Sequence, residues 1–364
     1  MTGIYIHIPF CNSKCPYCDF YSFKADEAQK DSYLKAVLSS LKAYADKVND
    51  TVDTVYFGGG TPSVFGGERI GEIISFIKQH YTLSFHSEIT VECNPSSVTG
   101  NFVLQIKNAG VNRVSMGMQS AVTKERLSLG RQSDCERISQ CISLFKAEGI
   151  DNISLDLMLG VPGQTVDSLN ESLDFLLTSG ITHISAYMLK VEEGTPFHLY
   201  RNVLHFPDED SVCEMYLHTV SRLREKGFMQ YEVSNFCLEG FESRHNLHYW
   251  HCDEYLGVGP SAHSFLNGKR FFYERDFSKF LTCPSPVSDG DGGSEEEYIM
   301  LALRLNEGLN DKKYYERFNK HIDKGIFQRA EKFSDAGLLT KDENTIRLNE
   351  KGFLLSNTII SQLI

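Results

Sequence analysis

Three cysteines stand within eight residues near the start of this chain, as Cys11, Cys15 and Cys18 in the string CNSKCPYC. The other seven cysteines are scattered, with no close pair at ligand spacing, and each is interpreted as a small buried hydrophobe. Because thiolates are both nucleophiles and metal ligands, the cluster is the first feature of the chain that predicts chemistry.

Three kinds of site use cysteines at such spacing. A structural zinc ion takes four ligands, and no fourth Cys or His lies at ribbon or finger spacing. A thioredoxin-type redox pair needs only Cys15 and Cys18 and leaves Cys11 without a role. Three thiolates on one loop suit a [4Fe–4S] cube, in which one iron then has no protein ligand and is open to another chelator. This third site uses every cysteine of the cluster, so the sequence favours it.

The elements that must position this loop alternate in type. Short β-branched or apolar runs predict six strands, and segments of helical period follow each of them. Six β-then-α units in succession imply a parallel sheet with right-handed crossovers. Because six units are two short of an eightfold barrel, the sequence predicts an open, partial (β/α)6 barrel, with a doubly wound open sheet as the alternative. The predicted strands are 4–8, 52–57, 88–92, 113–118, 152–158 and 183–189, and the predicted helices are 31–48, 67–80, 102–109, 136–149, 166–179 and 208–227.

Polar and small residues concentrate at the carboxyl ends of the predicted strands. The cysteines follow the first strand and the string GGGTP at 58–62 follows the second. Glu92 ends the third strand, Gln119 follows the fourth, and Asp156 lies in the fifth. In either architecture ligands bind at this end of the sheet, so these residues are predicted to share one site.

The cysteine spacing resembles that of the radical S-adenosylmethionine (SAM) superfamily, C-x3-C-x2-C after the first strand of a partial barrel. The resemblance implies that the amino and carboxylate groups of SAM chelate the open iron. It also implies that an electron from the cluster cleaves the sulfonium to give a 5′-deoxyadenosyl radical. The chain further resembles the branch that contains oxygen-independent coproporphyrinogen III dehydrogenase and the HemW-type heme chaperone. The matching strings are YIHIPFC, FGGGTP, VECNP, RVSMGMQS, LGRQ and LDLMLGVPGQT.

This resemblance implies roles for individual residues. The three cysteines would ligate the cluster, Tyr5 would lie beside the methionine part of SAM, and Tyr17 would touch the adenine. Carboxylates suit the ribose hydroxyls and the ammonium group, whereas Arg131 suits the SAM carboxylate. Glycines without Cβ atoms would let the backbone approach the ligand closely. The residues implied to contact SAM are Tyr5, Tyr17, Gly59, Gly60, Thr61, Glu92, Gln119, Arg131 and Asp156.

Two departures separate the chain from the dehydrogenase. That enzyme carries a further cysteine two residues past the triplet, where this chain has Phe20, and it has extra N-terminal chain that helps to enclose its substrate. Both departures argue against the oxidative decarboxylation of coproporphyrinogen III to protoporphyrinogen IX, which is the rival enzyme function. Whether the chain is an enzyme that turns SAM over stays open at this point.

The string HNLHYW at 245–250 contains the only tryptophan of the chain and matches the HNxxYW motif of the heme chaperone. Neutral imidazole is a good axial ligand for heme iron, and Tyr and Trp offer flat apolar faces to a porphyrin. The resemblance therefore implies heme as cargo, with His245 and Trp250 as its contacts. By itself, such a stretch is also typical of a packed, hydrogen-bonded loop. A heme-degrading radical-SAM methyltransferase is a second rival function. Secondary ligand candidates are His251, Cys252 and His263.

The string GVGPSA at 257–262 matches the dinucleotide fingerprint G-x-G-x-x-A. It lacks a preceding βαβ context, and no clear helix begins at Pro260 or Ser261. We therefore predict a tight backbone crossing here and no nucleotide site.

The chain is predicted to comprise three parts. Residues 1–230 form the partial barrel with the Fe–S and SAM sites, and 231–283 form a barrel-closing segment with the HNxxYW motif. A Pro/Gly/Asp-rich linker at 283–293 leads to a small α+β, winged-helix-like domain at 294–364, whose hairpin turns at 342–344. With 11 basic and 12 acidic residues, this last domain is predicted to cover the barrel and not to bind DNA.

Composition excludes several other classes. With 41% hydrophobic and 23% charged residues, the chain is typical of globular proteins. Its formal charge of −12 argues against nonspecific binding to nucleic acid or anionic lipid. No apolar run approaches the roughly 18 residues of a membrane span, and the N-terminus lacks the basic region of a signal peptide, so a cytoplasmic location is predicted. The predicted partners are heme, an apo-hemoprotein recipient and a flavodoxin- or ferredoxin-type electron donor.

Overall fold

Strands and helices alternate along the first two thirds of the chain in a computed structural model that describes residues 1–364. None of its helices is long and apolar enough to cross a membrane. The strands are β1 Thr2–Ile8, β2 Val52–Gly59, β3 Leu83–Cys93, β4 Arg113–Gln119, β5 Asn152–Leu159, β6 His183–Met188, β7 Met229–Gln230, β8 Asn235–Cys237, β9 Tyr255–Val258, β10 His263–Leu266, β11 Lys269–Phe272, β12 Val287–Asp291, β13 Leu309–Asn310, β14 Leu339–Lys341 and β15 Thr345–Leu348. The helices are α1 Glu27–Tyr44, α2 Pro62–Phe65, α3 Gly67–His80, α4 Gly100–Ala109, α5 Thr123–Ser128, α6 Cys135–Ala147, α7 Val166–Thr178, α8 Pro196–Leu199, α9 Glu209–Glu225, α10 Arg244–Trp250, α11 Phe277–Thr282, α12 Glu295–Ala302, α13 Asp311–Phe318, α14 Lys324–Asp335, α15 Glu350–Leu354 and α16 Ser356–Leu363, with a short 3-10 helix at Pro95–Ser97.

Six parallel strands in chain order form the centre of one large sheet. The strand order is β12-β11-β10-β9-β1-β2-β3-β4-β5-β6-β8-β7, and β9 pairs with β1 in parallel. The outer strands β10 to β12 on one side, and β7 and β8 on the other, pair antiparallel. Because β1 and β6 do not pair with each other, the sheet stays open. This confirms the predicted α/β architecture with an open parallel sheet.

The two faces of the parallel sheet differ in chemistry. Successive strand residues point to opposite faces, and on β4 the apolar side chains of Val114, Met116 and Met118 belong to the main hydrophobic core. The alternate positions hold Arg113, Ser115 and Gln119, which are buried but polar. A parallel strand covered on both faces is normally apolar throughout. We therefore treat the polar face, called the inner face below, as the side on which ligands are bound.

Local capping explains the one helix boundary that differs most from the sequence prediction. Helix α1 begins at Glu27 and not at residue 31, because the side chain of Asp26 accepts a hydrogen bond from the backbone N–H of Gln29. The Gln29 side chain in turn accepts one from the backbone N–H of Asp26, which completes a capping box. The periodicity of apolar residues starts only after this first turn.

Two glycines of the GVGPSA string allow the crossing that the sequence predicts. A Cβ atom on Gly257 would lie 2.0 Å from the carbonyl oxygen of His263. Gly259 has a φ of +116°, and a Cβ there would lie 2.7 Å from the carbonyl oxygen of His7. Strand β9 is followed by a turn and not by a helix, so the string serves backbone packing.

The predicted linker at 283–293 is wrong in part. Residues Val287–Asp291 form β12, which pairs antiparallel with β11 at the edge of the large sheet. All five residues are exposed, and a short, polar strand of this kind is typical of a protected sheet edge. The turn-forming residues at 283–293 are typical of a linker. An exposed edge strand has no buried face, so its sequence lacks the apolar alternation that predicts a strand. The three-part division of the chain stays a prediction.

The C-terminal residues form a small α+β unit with its own three-stranded sheet, ordered β13-β15-β14. Strands β14 and β15 are antiparallel and form the predicted hairpin around 342–344. The short helices α15 and α16 complete the unit and bury Phe353, Ile359 and Leu363. The sequence did not predict these two helices.

Candidate functional site

The cysteine loop follows β1 directly and is held against the glycine loop that follows β2. Cys11, Cys15 and Cys18 are free thiols, each partly exposed. The hydroxyl of Thr61 lies 3.2 Å from the Cys11 sulfur, and the backbone N–H of Cys18 donates to the carbonyl oxygen of Cys15 at 3.1 Å. The structure therefore places the predicted ligand loop and the predicted glycine loop side by side.

The three thiols are near enough to influence one another. Burial raises the pKa of Cys18, and the neighbouring Cys15 and Cys11 raise it further. No group of three or more His, Cys, Asp or Glu side chains is arranged to hold a single metal ion. A [4Fe–4S] cube asks for a different arrangement, since each thiolate binds a separate iron. The donor set, three partly exposed thiols on one loop, fits that group.

A chain of hydrogen bonds ties the cysteine loop to the inner face. The carbonyl oxygen of Tyr21 can only accept, so His7 donates to it through Nε2, at 3.0 Å. The Tyr5 hydroxyl then donates to Nδ1 of His7, at 3.1 Å. Burial lowers the pKa of His7 to about 4, which keeps the ring neutral and suits this donor and acceptor pattern. Through His7, Tyr5 therefore helps to hold the cysteine loop against the inner face.

The glycine loop after β2 packs closely against β1 and the segment that follows it. Gly59 has a φ of +106°, and a Cβ on it would lie 2.5 Å from the His7 ring. A Cβ on Gly60 would lie 2.8 Å from the carbonyl oxygens of Ile8 and Phe10. In the structure their missing side chains make room for β1 and its loop. That their backbone also contacts SAM stays a prediction.

Two carboxylates project from the inner face near the carboxyl end. Glu92 accepts from the Tyr56 hydroxyl at 2.8 Å and from the backbone N–H of Gly59 at 3.1 Å. Burial raises the pKa of Glu92 to about 7, and the nearby charge of Asp156 also raises it. Burial likewise raises the pKa of Asp156, whose carboxylate accepts from the Ser115 hydroxyl at 3.2 Å. Both groups retain lone pairs for a ligand.

Arg131 and Gln119 meet above Gly117. A Cβ on Gly117 would lie 2.8 Å from Gln119 Nε2 and 3.4 Å from Arg131 Nη2, so a side chain there would displace the ends of both. Arg131 donates to the Tyr17 hydroxyl at 2.9 Å. Gln119 has a φ of +71°, and its buried Oε1 has no hydrogen-bond partner. An unpaired buried amide oxygen beside a guanidinium is typical of a site that a polar ligand completes.

Together these residues fit SAM. Arg131 offers a cation for the SAM carboxylate, and Glu92, Asp156 and the free oxygen of Gln119 offer acceptors for ammonium and hydroxyl groups. Sequence reasoning missed the residues that hold this set in place. Small or polar residues alternate with apolar residues on β2 and β4. This alternation puts every second side chain on the inner face and could have identified them in the sequence. The missed residues are His7, Tyr56, Ser115 and Gly117.

The structure gives His245 an environment that argues against iron ligation. Its ring is buried in α10, with Nδ1 2.8 Å from the Thr54 hydroxyl and Nε2 2.8 Å from the Tyr249 hydroxyl. The ring stacks on Tyr56 and Tyr5, with centroids 5.1 Å and 6.3 Å apart. Because both ring nitrogens are engaged, neither is presented to a ligand. That His245 contacts heme stays a prediction, and it would require the ring to leave one of these two partners.

The other residues predicted near heme stay predictions. Trp250 is half-buried at the end of α10, with the Arg304 guanidinium 6.0 Å from its ring. His251 pairs with Glu307 at 2.9 Å, and Cys252 is buried. His263 is exposed on β10, where its ring stacks on Phe272. The structure does not bring this set together around one open space.

Comparison with known families and proteins shows which proteins this chain is similar to. A family profile described as Radical SAM superfamily matches residues 5–176, and one described as HemN C-terminal domain matches 296–355. The chain is 34% identical to the heme chaperone HemW of Mycobacterium tuberculosis, over all of this chain and 94% of that protein. It is 32% identical to the heme chaperone HemW of Bacillus subtilis, over all of this chain and 99% of that protein.

Among solved structures, the coproporphyrinogen III oxidase HemN of Escherichia coli, described as a radical SAM enzyme, has a similar fold. The TM-score is 0.85 at 19% sequence identity, and the match covers all of this chain and 89% of that one. At this identity the likeness concerns the fold alone. It confirms that the open parallel sheet and the C-terminal unit occur together in one known architecture.

Proposed function

Because the chain belongs to the radical SAM superfamily and, within it, to the family of the heme chaperone HemW, we propose that it binds heme and passes it to apo-hemoproteins. The observation that carries the proposal is the extent of the similarity. It runs over the whole chain and nearly the whole of two heme chaperones at 34% and 32% identity. The site residues described above fall within this shared length.

The cofactors of the superfamily are a [4Fe–4S] cluster and SAM. In the proposal Cys11, Cys15 and Cys18 ligate three irons, and the Thr61 hydroxyl, 3.2 Å from the Cys11 sulfur, supports the first ligand. When bound together, the cluster and SAM supply one-electron reductive chemistry. The His7 and Tyr5 hydrogen bonds keep the loop in place beside β2.

The remaining site residues would bind and orient SAM. Arg131 binds its carboxylate and is itself oriented by the Tyr17 hydroxyl at 2.9 Å. Glu92 and Asp156 accept from its ammonium and hydroxyl groups, and Gln119 gains a partner for its free oxygen. Gly59 and Gly60 shape the loop that carries Thr61. None of these roles requires a contact between SAM and α10, the helix that carries the HNxxYW motif.

One side chain distinguishes this proposal from the dehydrogenase alternative. Phe20, at the position of the further cysteine in the resembled enzyme, is 65% exposed and has no thiol to offer. The HemN likeness at 19% identity supports a common fold and does not favour a common reaction.

The proposal is tested with the full chain after anaerobic reconstitution of its cluster. The protein is loaded with heme and mixed with apomyoglobin, and absorption spectra follow the appearance of holomyoglobin. A parallel sample receives coproporphyrinogen III, SAM and a reductant. We expect heme binding and transfer without porphyrinogen conversion. Conversion to protoporphyrinogen IX at about 0.1 s⁻¹ or faster, near the slow end of enzyme turnover, would overturn the proposal.

A cytoplasmic location, an apo-hemoprotein as recipient and a flavodoxin- or ferredoxin-type electron donor are finer parts of the same proposal. Fractionation of cells and pull-down with the reconstituted protein test them. The location and the electron donor are independent of the heme-transfer result.

A further inference from the structure

A line of buried polar side chains leads across the inner face from the start of β6 to Asp156. His183 begins β6 and lies opposite Ser154 of β5 in the register of the two strands. Its Nδ1 is 2.7 Å from the Ser154 hydroxyl, which is 3.4 Å from the Ser185 hydroxyl. All three side chains are buried. None of them has a role in the cluster and SAM site described above.

The Asp156 carboxylate is one end of this line. Ser185 lies opposite Asp156 in the same register. Burial raises the pKa of Asp156, and hydrogen bonds from the hydroxyls of Ser115 and Ser185 oppose this rise. The Ser115 hydroxyl is 3.2 Å from the carboxylate. Because an ionised carboxylate can only accept, the Ser185 hydroxyl donates to it.

This requirement fixes the direction of the other bonds in the line. A serine hydroxyl has one hydrogen, so Ser185, which donates to Asp156, accepts from Ser154. Ser154 in turn accepts from Nδ1 of His183. Burial lowers the pKa of His183 well below its usual value, and the nearby charge of Arg113 lowers it further. The ring is therefore neutral and has one N–H, at Nδ1, and its Nε2 must accept.

The opposite end of the line supplies the donor that Nε2 needs. The Tyr231 hydroxyl lies 2.9 Å from Nε2 of His183. That hydroxyl accepts from the backbone N–H of Ser243, the residue before α10, at 3.2 Å. Since a backbone N–H can only donate, the hydroxyl hydrogen of Tyr231 is available to Nε2. Both ends require the same direction of donation, from Tyr231 to Asp156.

We propose that His183 is a positioning residue for SAM, an inference that rests on the proposed function and on the role given there to Asp156. Through Ser154 and Ser185, the His183 N–H holds the Asp156 carboxylate in one orientation and leaves its remaining lone pairs for SAM. Hydrogen bonds in such a chain polarise one another, so the loss of one weakens the next. His183 acts through Asp156 and needs no contact with SAM.

The test is a calorimetric titration of the full, cluster-loaded chain with SAM. Ser154→Ala breaks the line at a small side chain, and SAM binding should weaken about threefold to tenfold, equivalent to about 0.6–1.4 kcal/mol. Ser172→Ala is the matched control, because Ser172 is equally buried and its hydroxyl bonds only to Ser120 and the backbone of Ala121. The SAM affinity of this control, and the iron content of both variants, should match wild type.

Two substitutions of nearly the same shape separate positioning from stability. His183→Asn keeps an N–H at the place of Nδ1, whereas His183→Leu has none. Both lose the hydrogen bond to Tyr231, so both should lower the melting temperature. We expect SAM affinity to fall in His183→Leu, as in Ser154→Ala, and to stay close to the wild-type value in His183→Asn.

The outcomes separate this inference from the proposed function. If the wild type binds SAM, and Ser154→Ala and His183→Leu bind it equally well, His183 has no positioning role and the proposed function stands. If His183→Asn loses as much affinity as His183→Leu, the effect follows stability and the inference is wrong. If His183→Leu does not fold, Ser154→Ala decides alone. If the cluster-loaded wild type binds no SAM, the SAM part of the proposed function and this inference are both overturned.

Discussion

At the carboxyl end of the parallel strands, Gln119 and the three cysteines are positioned but not paired, whereas at the amino end His245 and His248 are held by neighbouring side chains. Gln119 has a free buried oxygen beside Arg131, and the three cysteines are free and partly exposed. By contrast His245 uses both ring nitrogens, and His248 is 2.8 Å from the Asp53 carboxylate. The first arrangement can accept a ligand, and the second stabilises the fold.

The two ends are separated along the same strands. His245 packs against Thr54 near the start of β2, and Gly59 at the end of that strand adjoins the cysteine loop. Five residues of strand span about 17 Å at roughly 3.3 Å per residue. Histidine and tryptophan in a motif therefore do not by themselves indicate a ligand site. The role of such a motif depends on the end of the sheet against which it packs.

The largest expected effect is the loss of the cluster when the carboxyl end is changed. Cys15→Ala removes one of three thiolates, so iron and sulfide should fall from about four each per chain to near zero, together with the broad absorption near 400 nm. Chemical iron analysis after anaerobic reconstitution measures this. Cys213→Ala, a partly exposed cysteine on α9, is the matched control and should retain the cluster. Stoichiometric zinc without sulfide in the wild type would contradict the assignment.

The next effect concerns SAM alone. Arg131→Met removes the cation assigned to the SAM carboxylate, and hydrogen bonds to charged groups contribute about 1.5–3 kcal/mol. Calorimetric titration should therefore show SAM binding weakened roughly tenfold to a hundredfold. Iron content should stay normal. Arg222→Met, which breaks an exposed pair with Asp174, is the control and should leave SAM affinity unchanged. Equal losses in both variants would argue against a specific role for Arg131.

At the His248–Asp53 pair of the amino end, substitution should change stability and leave cofactors alone. His248 and Asp53 form a buried pair, and removing one partner of such a pair costs about 3–5 kcal/mol. Burial lowers the pKa of His248, but hydrogen bonds and charge from Asp253 and Asp53 outweigh it and raise the pKa to about 9. Its stabilisation is therefore complete below the unfolded value of about 6.5 and is lost as pH rises through about 9.

We expect His248→Ala to lower the free energy of unfolding at pH 7, with a difference from wild type that shrinks above pH 9. Urea unfolding across this pH range measures it. Iron content and SAM affinity should be those of the wild type. A loss of SAM binding in a folded His248→Ala variant would break the distinction between the two ends.

The smallest effect is the titration of Glu92. Burial raises its pKa to about 7, so the folded chain holds a proton that the unfolded chain has released between about pH 4.5 and 7. Its contribution to stability therefore falls as pH rises through this window, by at most about 1.4 kcal/mol per pH unit. Glu92→Gln cannot titrate, so its stability relative to wild type should increase with pH. A pH-independent difference in melting temperature without SAM would show that Glu92 titrates normally.

The sequence predicted those parts of the molecule that depend on local pattern. The strands and helices of the six β/α units follow from periodicity, and the spacing of Cys11, Cys15 and Cys18 predicts their shared loop. What it could not predict depends on contacts between distant segments. The environment of His245 is set by Thr54, 191 residues away in the chain. Gly59 needs its missing side chain because of the His7 ring on the neighbouring strand, which no local pattern reveals.

The most direct test of this account is the heme titration of His245→Gln, compared with wild type and followed by thermal unfolding. If the amino end only stabilises the fold, the variant keeps the wild-type Soret position and heme affinity and has a lower melting temperature. A Soret shift with unchanged melting temperature would mean that His245 leaves its buried contacts to bind iron. That result would contradict the purely structural role assigned to His245 at the amino end.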